Sequence, residues 1–395
     1  MKIPMSSPDL TAAERQAVME VINTPILSLG PRVVEFEKAF CEYTGAKYAV
    51  AVNSGTAGLH LCVRAAGIGA GDLVITTPFS FVASTNALLF ENAIPIFVDV
   101  DPLTGNINPE QAVQAARDLA AGGKAARKWL PRKTPKASGK ASVGKLKAIL
   151  PVDVFGQPAE MDPLTDTARE LGLTVIEDSC EAIGALYKGR KAGTFGDFGI
   201  FAFYPNKQMT TGEGGLVITD NERAANFMRA LRNQGRAPGD TWLSHTYLGY
   251  NYRLDEMSAA LGLAQMKRLD EMVSKRATVA GWYTECLAGI PGIEAPKVAA
   301  STTRMSWFVY VIRLAKELER GDLAKRLEAR GVPVRPYFLP IHLQPYMQER
   351  FGYEAGDFPI TEDLGERGVA VPFSGVMTRE QVEYVCDALR QETSR

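Results

Sequence analysis

The chain has 395 residues, 46% of them hydrophobic and 23% charged, with 44 Lys and Arg against 45 Asp and Glu for a net charge of −1. That length exceeds one ordinary core and predicts a large and a smaller domain, while the even charge balance argues against a nucleic-acid partner. Five scattered cysteines, three histidines and no CxxC make neither a zinc or other metal site nor a disulfide framework and suit a reducing cytoplasm; no apolar run approaches membrane-spanning length, and MKIPMSSPDL lacks the features of a signal peptide.

In chain order, a helix is expected over 11–22, with Asp9 or Thr11 as N-cap, and an amphipathic helix over 31–44 with Val34, Phe36, Phe40 and Cys41 near one face. A short apolar strand, 48–53, runs into Ser54-Gly55-Thr56-Ala57-Gly58 and then a helix over 59–66. Strand, small-residue turn and helix aim free N–H groups at an anion, usually phosphate; the same residues read equally as a plain tight turn. A strand over 73–77, a helix over 81–90 and a strand over 94–100 follow. Phe79 and Phe81 sit where a strand ends, so either is a core aromatic or a platform for a flat ring. Asn108 and Pro109 open a helix that runs to about residue 121.

Residues 124–147 carry nine Lys and Arg and no acid, with few large apolar groups, and read as a solvated insertion. A strand over 148–155 and a helix over 161–171 lead to LTVIED, a buried strand ending in Glu177 and Asp178. An acid at a strand's carboxyl end is a functional candidate. The stretch FGIFAFYPNKQMTTGEGG is the centre of the reading. A strand over 198–204 breaks at Pro205 and delivers Lys207 into a glycine-rich turn before a second apolar run, 216–219. A lysine partly withdrawn from water gives up its proton more readily and can attack a carbonyl; a lone loop lysine is more often just exposed. A helix over 221–234 follows, and Asn251 and Arg253 then precede another with Asp255 as its N-cap. A second pattern starts near Trp307: a strand over 308–314, a helix over 321–329, a short strand over 332–337, a proline-punctuated loop holding His342, and a helix over 379–391. Alternating strands and helices predict an α/β fold, with a mainly parallel sheet flanked by helices in a large domain, 1–260, and a smaller α/β domain, 261–395.

A lysine in a glycine turn, an aspartate at a strand end, a phosphate-type turn and an aromatic near another strand end are the four things pyridoxal phosphate needs. NSGTAGLHL, TTPFSFVAS, FVDVDP, GQPAEMDPL, IEDSCEAIGALYKGRKAGTFGDFGIFAF, TTGEGG and GYNYRLDE stand in the order in which similar blocks occur in the DegT/StrS sugar aminotransferases, a branch of the aspartate-aminotransferase fold (fold type I), and the chain resembles that family along nearly its whole length. The resemblance implies an aminotransferase that moves an amino group, with L-glutamate as the expected donor, to a keto group of a nucleotide-linked sugar in polysaccharide or deoxyamino-sugar biosynthesis. It implies Lys207 as the Schiff-base lysine, Asp178 as partner of the pyridine nitrogen, Gly55, Thr56 and Ala57 as the phosphate turn, and Phe81 as the residue stacked on the ring. Asn251 would reach the phosphate from the neighbouring subunit of a cytoplasmic homodimer with shared sites. Three positions depart from the family: Ala202 replaces a phosphate-binding serine, leaving Asn206 as a possible substitute; Glu181 stands where glutamine or histidine meets the cofactor's phenolic oxygen; Asp153 stands where histidine is common. Tyr204, Tyr337 and His342 are the expected substrate contacts. The rival expectations are another pyridoxal-phosphate reaction on the same scaffold, a dehydratase or aldolase step, and a ligand-sensing regulator; retention of the lysine argues against the dehydratase.

Overall fold

The computed structural model describes residues 1–134 and 144–393. Its large sheet has seven strands in the order Tyr48–Val52, Gly215–Thr219, Phe198–Ala202, Thr174–Asp178, Leu146–Ile149, Leu73–Thr76 and Ile94–Phe97. Six run in one direction. Gly215–Thr219 is antiparallel to both neighbours, with Val217 opposite Val50 on one side and Ile200 on the other. Val74, Ile96, Ile176 and Ile200 are all fully buried, as the near-continuous apolar runs of strands covered on both faces require. The α/β architecture is therefore the expected one, with a single reversed strand.

Local chemistry sets most helix starts. Thr11 and Glu14 form a capping box at Ala12–Ile22. Asn108 Oδ1 accepts from Gln111 N ahead of Pro109, and Asp255 Oδ1 accepts from Ser258 N ahead of Glu256–Met266. Two expectations change. The helix after the first strand begins at Gly55, because Ser54 Oγ caps it by accepting from Ala57 N at 3.1 Å. The short strand near residue 335 shrinks to Arg335–Pro336, and the proline-punctuated loop after it holds the helices Pro345–Phe351 and Pro359–Arg367 and the strand Gly368–Val371. In both helices proline occupies the first turn, where its missing N–H is no loss.

A second, four-stranded antiparallel sheet joins Ile293–Glu294, Tyr310–Leu314, Gly368–Val371 and Arg335–Pro336 around a core that includes Tyr283, Tyr310, Ile312, Leu327 and Leu389. The helix Leu269–Leu287 serves both cores: Leu269, Met272 and Val273 pack with the large sheet, Val279, Ala280 and Tyr283 with the small one. Segments are also exchanged. Ile3 packs in the small core, while Ile341, Met347 and Phe351 pack in the large one. We propose that the two cores mark two domains whose main bodies are residues 1–260 and 261–395. The basic stretch 124–147 lies partly outside the described residues; in the described part Lys124, Arg127, Lys128, Arg132 and Lys133 are exposed, as a solvated insertion requires, and the stretch is also anchored to the fold. Lys128 pairs with Asp118 at 2.8 Å, Trp129 Nε1 donates to the same carboxylate, and Arg132 forks onto Asp357 at 2.5 and 2.7 Å.

Candidate active site

The topology gathers the chemistry at one edge. Thr174–Asp178 and Phe198–Ala202 are parallel neighbours with Asp178 opposite Ile200, so Asp178 and the turn carrying Lys207 leave the sheet at the same end. Tyr48–Val52 delivers Ser54 and Gly55 to that end, and Leu73–Thr76 delivers Phe81 and Ser84. Ligands bind outside the carboxyl ends of strands in such sheets. Here a cavity of about 420 Å³ opens there, lined among others by Gly55, Thr56, Phe81, Ser84, Asp178, Glu181, Asn206 and Lys207.

Lys207 N donates to Tyr204 O at 2.9 Å, closing the turn after Pro205. The side chain is 12% exposed; its Nζ lies 3.5 Å from Glu181 Oε1 and 3.7 Å from the centre of the Phe308 ring. An ammonium over a ring face is attracted by its quadrupole, so the amine is held between a carboxylate and an aromatic wall. Glu181 Oε2 accepts from Phe155 N at 2.9 Å; burial pushes the Glu181 carboxyl up, and the Lys207 charge and this N–H pull it back. Asp178 is buried, and its oxygens accept from Ser84 Oγ at 2.6 Å and Cys180 N at 3.2 Å. Ser84 and Phe308 were not legible as site residues. Ser84 carried a usable signal, since it follows Phe81 by three positions at the start of Ala83–Phe90 and so shares its side of the turn. Phe308 carried none.

Across the cavity, the helix Gly55–Ala65 begins with the N–H groups of Gly55 and Thr56 at its open end, while that of Ala57 is engaged by Ser54 Oγ. Gly55 is required by space: a Cβ there would come within 2.8 Å of Ala202 Cβ and 3.0 Å of Cys180 Sγ. Ala202 presents a methyl group, and the side-chain oxygen of Asn206 is buried without a partner. Phe81 is 63% exposed, whereas Phe79 is in the core against Phe155 and Phe338. Tyr204 and Tyr337 line the cavity, and burial pushes the Tyr337 phenol up to about 12. His342 does not join them. It is fully buried, its Nε2 2.9 Å from Glu362 Oε1 and its ring on Phe358, which corrects the expected substrate contact: the loop that was to present it folds into two helices and closes over it. Asn251 is exposed and not among the residues that line this cavity. Its neighbours Tyr250 and Tyr252 are part-buried and stacked at 4.8 Å, with their hydroxyls bonded to Arg64 and His60.

The residues present fit pyridoxal phosphate. An amine waits at the cavity wall, each Asp178 oxygen has accepted one bond and can accept another, two helix N–H groups are open, and the Asn206 side-chain amide, whose NH2 can donate, lines the same cavity. A reactive amine, a carboxylate for a ring nitrogen and a helix start for a phosphate, brought to one sheet edge, are the mark of the pyridoxal-phosphate-dependent enzymes. The chain belongs to the DegT/DnrJ/EryC1/StrS aminotransferase family, whose model matches residues 8–390. It is similar to GDP-perosamine synthase of Caulobacter vibrioides, 38% identical over 99% of this chain and 98% of that one. Among solved structures it resembles S. venezuelae DesV in complex with a ketimine intermediate, with a TM-score of 0.85 and 31% identity over 100% and 99% of the two chains. It also resembles Helicobacter pylori PseC, an aminotransferase of pseudoaminic acid biosynthesis, at TM-score 0.87 and 26% identity over the whole of both. Among the described residues no helix is long and apolar enough to cross a membrane.

Proposed function

We propose that this aminotransferase carries an amino group from L-glutamate to a keto carbon of a GDP-linked sugar, releasing 2-oxoglutarate and the amino sugar. The observation that carries the reading is the amine of Lys207, held between Glu181 and Phe308 and facing the same cavity as Asp178. The choice of GDP rests on the likeness to GDP-perosamine synthase along the full chain. Pyridoxal phosphate, when bound, supplies an electron sink for the carbon that bears the amine. The chain's residues do the rest. Asp178, fixed by Ser84 Oγ and Cys180 N, keeps a proton on the ring nitrogen by placing opposite charge beside it. Gly55 N, Thr56 N and the Asn206 amide hold the phosphate. Lys207 Nζ takes the proton from the amino-acid α-carbon in the first half of the cycle and returns one to the sugar carbon in the second. Phe81 covers the ring, and Tyr204 and Tyr337 receive the sugar. Asn251 completes the phosphate site of a second copy, so the working unit is a homodimer.

The test is to load the protein with pyridoxal phosphate, add L-glutamate, and follow 2-oxoglutarate release and loss of the visible band. GDP-, UDP- and dTDP-linked keto-hexoses are then offered in turn, with mass spectrometry of the products. Amination of the GDP sugar alone is expected, and Lys207→Ala should abolish both band and turnover. Turnover retained by Lys207→Ala, or no 2-oxoglutarate from the wild type, defeats the proposal and turns attention to an aldol or elimination reaction on the same scaffold.

A further inference from the structure

The helix Leu269–Leu287 carries a guanidinium to the underside of the lysine turn. Arg276 is 3% exposed, and no carboxylate pairs with it among the described residues. Its donors converge on four backbone carbonyls instead. Nη2 donates to Asn206 O at 3.1 Å and Lys207 O at 2.6 Å; Nη1 donates to Trp307 O at 3.2 Å and Phe308 O at 3.1 Å. The first pair belongs to the turn that presents the reactive amine, the second to the segment that presents the aromatic wall above it. Phe373 of the small core backs the group, 5.7 Å from the guanidinium carbon to the ring centre.

These bonds close a circuit. Lys207 Nζ faces Glu181 Oε1 at 3.5 Å, Glu181 Oε2 accepts from Phe155 N at 2.9 Å, and Phe155 O accepts from Phe308 N at 3.1 Å. Phe308 O then accepts from Arg276, which returns to Lys207 O. Two residues in the circuit or next to it hold left-handed backbone, Phe155 at φ 60° and Trp307 at φ 52°. Such residues persist where surrounding bonds over-determine them, and each offers its carbonyl to a bond just described. Burial depresses the guanidinium to about 10, so it remains charged at neutral pH and its donors stay in place. A buried cation without a carboxylate is a poor stability device, since hydrophobic side chains would fill the same volume more cheaply. A planar fork of fixed N–H vectors is what spans four carbonyls, and an ammonium, whose three donors leave one atom, cannot match it.

We propose that Arg276 is a positioning residue for Lys207, clamping the lysine turn to the Phe308 wall so that the amine stays between that ring and Glu181. The proposal rests on the reading of Lys207 as the reactive amine, and its test is separable because it uses cofactor-free protein. Brief acetic anhydride pulses at several pH values, followed by peptide mass spectrometry, give the acetylation rate of Lys207 relative to exposed Lys267 as internal standard. In the wild type Lys207 should react about tenfold more slowly than Lys267, shielded on two sides. Arg276→Lys keeps the charge and loses the fork; it should bring the two rates to within about threefold and, in loaded enzyme, lower kcat far more than it raises either KM. Val279→Ala, three positions along the same helix and buried in the small core, should lower Tm and leave the rate ratio alone. Phe308→Leu leaves the guanidinium bonds intact and removes the wall, so it too should release Lys207; should Arg276→Lys fail to fold, Arg276→Gln, whose planar amide reaches fewer of the four carbonyls, is read in its place. An unchanged ratio in Arg276→Lys or in Phe308→Leu, or an equal change in Val279→Ala, overturns the proposal. Absence of a visible band in loaded wild type would instead strike the reading of Lys207 itself.

Discussion

Glu181 is the charged group nearest the amine, and its oxygens do two separate things: one faces Lys207 Nζ, the other accepts from Phe155 N. Glutamine can keep the second bond through its carbonyl and loses the charge. Opposite charge favours a protonated nitrogen, so Glu181→Gln should lower the pH midpoint of the visible band of the loaded enzyme by about one unit while folding normally; spectrophotometric titration reads it, and a midpoint that stays or rises contradicts it. Asp153 tests a different kind of buried acid. Its oxygens accept from Ala159 N at 2.9 Å and Ser179 Oγ at 2.5 Å, and burial, with Glu177 adding to it, pushes the carboxyl well up. A group whose folded value is raised contributes stability that is present below its unfolded value of about 4 and is lost as pH rises toward the folded value. Asparagine can serve both bonds, with its oxygen to Ala159 N and its amide to Ser179 Oγ. Asp153→Asn should therefore melt higher than wild type at pH 8 and no higher at pH 4, with a flatter profile of Tm between.

If the proposed phosphate site is right, the element that decides cofactor retention is the start of Gly55–Ala65. Ser54→Ala removes the cap on Ala57 N, costing about 1 kcal/mol of stability, and loosens the turn that aims Gly55 N and Thr56 N. Its dissociation constant for pyridoxal phosphate should rise several-fold, measured by dialysis and absorbance. Gly55→Ala should do worse, because the new Cβ meets Ala202 and Cys180 at 3.0 Å or less; equal retention in both variants would remove the turn from the phosphate site. Elements of this kind were legible in the sequence. Apolar runs marked the strands, and Thr11, Asn108 and Asp255 marked helix starts because a cap is a bond between residues a few positions apart. Lys207, Asp178 and the 54–58 turn were legible as pieces, and strand order then brought them to one edge. What stayed hidden was of two kinds. Pro345 and Pro359 read as loop punctuation in the sequence although both open helices, since proline at a first turn and proline in a loop look alike locally. Phe308 over Lys207 and Arg276 beneath it join segments far apart in the chain, and no local pattern encodes such a pairing.

At the scale of the whole molecule, the stretch before Asn251 looks unfinished in a single chain. Trp242, Leu243 and Leu248 are 74, 84 and 83% exposed, and Ile26, Leu27 and Leu29 lie open as well. We propose that these apolar side chains belong to an association surface. Isologous pairing of two copies is the commonest way to cover one. Asn251 is held beside these residues by the stacked tyrosines on either side of it, and it is exposed on its own chain. If each site takes Lys207 from one copy and Asn251 from the other, Lys207→Ala and Asn251→Ala homodimers are both defective, the first inactive and the second poor at holding cofactor. A heterodimer of the two has one site that lacks both residues and one that has both. Random mixing makes half the dimers heterodimers, so unfolding the two variants together and refolding them should restore about a quarter of wild-type activity. Separate refolding followed by mixing, with subunit exchange slow, should restore less at first and rise with time. If Asn251 instead serves its own chain, no combination contains a complete site, and the co-refolded mixture stays at the mean of the two parents.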